Sequence, residues 1–95
     1  MTNELLQTHY LVAKRYQKIV SETNMQNKEH WITYLETALT LTNTDKLSRW
    51  IGFMQGVLFF EGIITISEER NITRNIYKPA YDNLGLDSKT VEVYK

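Results

Sequence analysis

The stretch RWIGFMQGVLFFEG, residues 49–62, is the most apolar part of the chain, with Arg49 opening it and Glu61 near its end. The fold turns on whether this stretch crosses a membrane, fills a core or meets another protein. Its apolar run, residues 50–66, covers 17 residues, whereas a helix needs about 20 to cross roughly 30 Å of hydrocarbon. Gln55 and Glu61 interrupt it, and Gly62 is the residue type that most readily takes the left-handed conformation that ends a helix. No membrane span is expected. Leu47, Trp50, Ile51, Met54, Val57 and Leu58 recur at helical spacing, which predicts a core helix running through Glu61 and stopping at Gly62.

Phe53 and Phe60 project from a neighbouring face of that helix and Phe59 from another, so it is apolar around most of its circumference. A helix of that kind must be surrounded. A domain this small leaves aromatic faces over, the usual mark of an interface. Phe53, Phe59 and Phe60 are therefore candidate interface residues, a homo-oligomer is expected, and a second chain should cover at least one of them. Gly52 and Gly56, four apart, would let a further helix approach closely. Close packing inside the monomer is the plainer reading of that spacing.

Outward from this helix the pattern stays helical. Leu5, His9, Val12, Tyr16 and Ile19 form one stripe of a first helix over residues 3–21, capped by Thr2 or Asn3, with Lys14, Arg15 and Lys18 facing water. SETNMQNK, residues 21–28, reads as a turn. A second helix is predicted over residues 27–41, burying Trp31, Leu35, Ala38 and Leu39 with Tyr34 at the border. Thr44 is the predicted cap of the third helix, and Asp45 suits the positive end of its dipole. TISE, residues 65–68, has capping-box form and starts a fourth helix near Ile66, with Ile72, Ile76, Ala80 and Leu84 as its stripe, Tyr77 and Tyr81 beside it, and Gly85 as its stop. Pro79 falls inside this stripe and predicts a kink rather than a division, because the stripe stays in phase across it. GIITI, residues 62–66, is rich in β-branched residues, but no second strand exists to pair with it. The expected fold class is all-α: a small bundle of about four helices in a single domain over residues 1–85, followed by a flexible tail over residues 86–95.

The composition narrows the function. At 42% hydrophobic and 23% charged, 95 residues suit one globular domain rather than a disordered chain. Eleven basic residues balance eleven acidic ones, so no global field draws the chain to DNA or anionic lipid. The absence of cysteine excludes disulfides, thiolate nucleophiles and cysteine-bound metals. MTNELLQTHY at the start has neither a basic segment nor an apolar run, so no signal peptide is expected and the cytoplasm is the expected location.

The polar motifs point to binding rather than catalysis. EERNITR, residues 68–74, places Arg70 and Arg74 one helical turn apart, a pair that can clamp a phosphate or a carboxylate. Pairing with Glu61, Glu68 or Glu69 is the alternative. Residues 71–73 match the glycosylation pattern, which has no reader without export. Lys14, Arg15 and Lys18 with Tyr10 and Tyr16 could meet a nucleotide, although a solvated helix face explains them as well. His9 lies on the buried stripe and reads as a core histidine, while His30 sits in another helix. No phosphate loop, nucleophile motif or metal-ligand spacing occurs, and Glu68 and Glu69 point roughly 100° apart and cannot act as a facing acid and base. No enzyme, cofactor or metal is expected. Arg49, Arg70 and Arg74 are the candidate polar contacts to a partner.

DKLSRWIGFMQGVL, residues 45–58, followed by GIITISEERNITRNIYKPAY, residues 62–81, resembles a pattern in small early proteins of tailed bacteriophages, most of all the RIII-type lysis-inhibition accessory proteins of T-even-type phages. The resemblance spans residues 10–81. It implies a cytoplasmic, non-enzymatic protein that delays host lysis by binding the cytoplasmic end of the phage holin, touching the membrane only through that partner. It supplies no binding residues. A second reading comes from another class: a small helical inhibitor of host defence that covers a defence protein or sequesters a signalling nucleotide. Arg70, Arg74, Lys14 and Tyr10 would be its nucleotide contacts, with arginine on phosphate and tyrosine on the base.

Overall fold

The computed structural model describes residues 4–84, which form four helices and no strand: α1 Glu4–Glu22, α2 Lys28–Ala38, α3 Thr44–Phe60 and α4 Ile66–Asn83. The expected caps Thr2 and Asn3, the stop at Gly85 and the tail over residues 86–95 lie outside the described residues. The all-α bundle is as the periodicity predicts.

The helix ends follow local chemistry. Asn43, not Thr44, caps α3, its side chain accepting from the Lys46 N–H at 2.9 Å. Both residue types can cap, and the chain is still extended at Asn43, so Thr44 becomes the first helical residue. At the other end Gly62 takes φ 75°, its N–H bonds the Phe59 carbonyl and the Ile63 N–H bonds the Leu58 carbonyl. These are the two bonds of a Schellman stop. Thr65 caps α4 by accepting from the Glu68 N–H. The second helix is shorter than predicted: Asn27 enters it in the left-handed conformation, φ 58°, and the helix ends at Ala38 with Leu39 as its cap. Helix α4 runs undivided through Pro79 to Asn83.

The chain runs up and down. Tyr34 bonds Trp50 and Trp31 lies against Phe53 across α2 and α3, while Glu4 meets Asn83 and Arg15 meets Glu69 across α1 and α4, so both pairs are antiparallel. Helix α1 packs against each of the other three, and α2 also against α3. Val12, Tyr16, Val20, Leu35, Leu47, Met54 and Leu58 are fully buried among them.

Two stripes are rotated from their predicted phase. On α1 the buried arc is Thr8, His9, Val12, Ala13, Tyr16 and Val20, with Leu5 and Ile19 only half-buried. As the helix that touches all the others, α1 is covered over more than one stripe. On α4 the inward residues are Glu69, Thr73, Ile76, Tyr77 and Ala80, while Ile72 and Leu84 face out. A buried glutamate, invisible to a count of apolar residues, heads that stripe.

Candidate functional site

The α3 helix presents its Leu47, Ile51, Met54 and Leu58 side to the core. The molecule measures 40 × 29 × 18 Å. Its thin axis holds about two helix diameters of roughly 10 Å each, so each helix keeps a side open to solvent. For α3 that side is apolar: Phe53 is 59% exposed, Phe59 49% and Phe60 88%. The Trp31 and Tyr34 rings of α2 lie 6.0 and 6.1 Å from Phe53, and Tyr34 stacks on Trp50 at 4.4 Å. Together with Phe60 they form an aromatic patch beside a shallow groove of about 440 Å³ whose wall includes Gly52, Gly56 and Val57.

Both glycines stand free. A Cβ built on Gly52 or Gly56 would meet nothing within 4 Å. Packing among the described residues therefore does not explain them, which corrects the plainer sequence reading. Arg49 is exposed near the start of the same helix and Glu61 is exposed at its end.

A ladder of polar contacts joins α1 and α4. Asn83 donates to Glu4 at 2.7 Å, the His9 Nδ1 and the Tyr77 hydroxyl share a hydrogen bond, and Arg15 donates to Glu69 Oε2 at 2.5 Å. The Tyr16 hydroxyl donates to the same Glu69 oxygen at 2.8 Å and accepts from Gln55 Nε2 of α3 at 3.2 Å. Glu69 is 1% exposed and Arg15 27%. Buried carboxylates need such partners. Burial, and next the hydrogen bond to Glu69, push the Tyr16 phenol above its usual value; burial likewise raises Tyr77, and burial lowers His9. These shifts favour the neutral rings that the packing encloses.

This ladder corrects two expectations. Arg15 does not stand in water with Lys14 and Lys18, because α4 crosses that side of α1. Glu69, one of the three carboxylates named for Arg70 and Arg74, is held by Arg15 and Tyr16. Periodicity missed Glu69 altogether; the available signal was its place one turn before Thr73 and two before Ile76 and Tyr77.

The sequence-proposed nucleotide contacts are not brought to one place. Tyr10 turns towards the α2–α3 connection, where its hydroxyl donates to the Leu41 carbonyl at 2.5 Å. Tyr16 is fully buried and has no face for a base. Lys14 is exposed on α1, whereas Arg70 borders a cleft of about 540 Å³ between α3 and α4, floored by α1. Arg74 is half-buried one turn further along α4, and Arg49 stands on α3.

Among the described residues no group of three or more His, Asp or Glu is placed to hold a metal ion, and no helix is long and apolar enough to cross a membrane. No protein-family model, curated protein or solved structure matches the chain.

Proposed function

We propose that this chain is a non-enzymatic protein-binding module that works as a homo-oligomer, with the open face of α3 covered by a second copy of itself. One observation carries this reading: the two helical glycines that the monomer leaves bare lie beside the exposed Phe53 and Phe60. A glycine inside a helix costs roughly 0.5–1 kcal/mol relative to alanine, and here no neighbour among the described residues makes use of the missing side chain. A second helix seated against Gly52 and Gly56 would.

The charges favour an antiparallel copy. With α3 laid against α3 head to tail, Arg49 of each protomer comes towards Glu61 of the other, and each Phe53 comes towards the other's Gly56. A two-fold interface of this kind is self-complementary and closed.

The resemblance to phage lysis-inhibition accessory proteins names the partner of the assembled module: the cytoplasmic end of a phage holin. The near-neutral charge, the lack of a spanning helix among the described residues and the aromatic face are compatible with that role. Arg70 and Arg74 are the polar contacts offered to that partner, Arg49 being turned to the second copy, and the host cytoplasm is the location this role requires.

Sedimentation at micromolar concentration is expected to give a dimer or larger species. Phe53→Glu is expected to yield a monomer with unchanged helical circular dichroism. A wild-type monomer, or unfolding of Phe53→Glu, would remove the interface. Recovery of the holin with the tagged protein from infected cells would support the lysis role, and recovery of a host immune protein in its place would favour the defence-inhibitor reading.

A further inference from the structure

The cleft between α3 and α4 shares Gly52 with the groove beside the aromatic patch, but the rest of its lining differs. Helices α3 and α4 do not close on one another; α1 forms the floor between them. The volume of about 540 Å³ falls within the range of small-molecule sites, roughly 300–1,000 Å³. Val12, Ile51 and Ile66 supply apolar wall.

The charge of the lining has one sign. Arg70 borders the cleft, and no aspartate or glutamate among the described residues does. The one buried carboxylate nearby, Glu69, is already held by Arg15 and Tyr16. Arg70 is half-buried, and its guanidinium makes no ion pair or hydrogen bond among the described residues. Further groups remain to be used. Gln55 spends one amide N–H on Tyr16, which leaves the other, and the Ser48 and Tyr81 hydroxyls donate to no partner among the described residues. A half-buried guanidinium without an anion, beside uncommitted hydrogen-bonding groups and apolar wall, is the donor set of an oxyanion site with room for a ring.

We infer that this cleft binds a small planar-ringed anion, a phosphate ester or a carboxylate, with Arg70 on the oxyanion and the ring between Ile51 and Tyr81. The site lies within one protomer and does not depend on self-association. Arg70 borders this cleft and not the groove beside the aromatic patch, so its variants separate loss of this site from loss of the dimer.

The test is a titration of the full chain with phenyl phosphate, followed by amide chemical shifts. Saturable shifts at Arg70, Gln55 and Tyr81 are expected at millimolar ligand. Arg70→Gln should weaken binding by about tenfold or more, Arg70→Lys should retain part of it, and both should sediment as the wild type does. Adenosine monophosphate and 4-hydroxybenzoate, run alongside, distinguish a nucleotide from a carboxylate source; tighter binding of either than of inorganic phosphate supports the site. Absence of saturable shifts, equal binding by Arg70→Gln, or inorganic phosphate binding as tightly as every ringed ligand would overturn it.

Discussion

Glu69 is the residue on which the packing of α4 depends. Its carboxylate is almost wholly enclosed, and a single oxygen accepts from both Arg15 and Tyr16. Glu69→Ala would leave the Tyr16 hydroxyl without its acceptor and open a void, whereas Arg15, 27% exposed, can turn to water. The expected loss is about 1–3 kcal/mol, at the low end for a broken buried pair because of that escape, read from the urea midpoint. His9 gives a dependence on pH. Burial lowers its folded pKa below the usual 6.5, so the folded state binds fewer protons than the unfolded one in the window between the two values. Stability is then fully present above about pH 6.5 and falls as the pH drops towards the folded pKa. Urea midpoints at about pH 7.5 and about pH 5.5 should differ in that direction, and His9→Gln should shrink the difference.

At the scale of the helix, the stop of α3 isolates a backbone effect. Gly62 sits at φ 75° with nothing within 4 Å of a built Cβ, so alanine there meets no steric neighbour, only an unfavourable conformation. Gly62→Ala should lower stability by about 1 kcal/mol without changing the fold. Asn43→Ala, which removes the acceptor for the Lys46 N–H, should lower it by a similar ~1 kcal/mol. Thermal melts followed by circular dichroism measure both. A neutral result at Asn43 would return the capping role to Thr44.

Across the whole molecule, a thickness of 18 Å leaves every helix with an outer side. For α1, α2 and α4 much of that side is polar or charged; for α3 it is aromatic. The bare glycines allow the two levels to be separated. Gly56→Ala should stabilise the monomer by roughly 0.5–1 kcal/mol through helix propensity while weakening the dimer, because the added methyl stands where the second helix would approach. Chemical denaturation under dissociating conditions and sedimentation over a dilution series give the two numbers. A variant more stable and equally associated would place the interface elsewhere.

Much of the fold was legible before any coordinates. The spacing of Leu47, Ile51, Met54 and Leu58, the stop at Gly62 and the cap at Thr65 are local features, set by side-chain period and backbone stereochemistry, and the structure has them where the sequence put them. The exposure of Phe53, Phe59 and Phe60 was also foreseeable, since a domain of this size cannot wrap a helix that is apolar all round. What the sequence alone left undecided depends on which helix crosses which. Arg15 read as a solvated cation and Glu69 as an ordinary polar residue until α4 brought them together over Tyr16. The same holds for the cleft beside Arg70 and for the bare faces of Gly52 and Gly56, whose meaning lies in the space around them. Periodicity reports how one helix is sided, but the partner of a buried charge and the emptiness beside a glycine are properties of distance between segments, and those distances exist only once the four helices have packed.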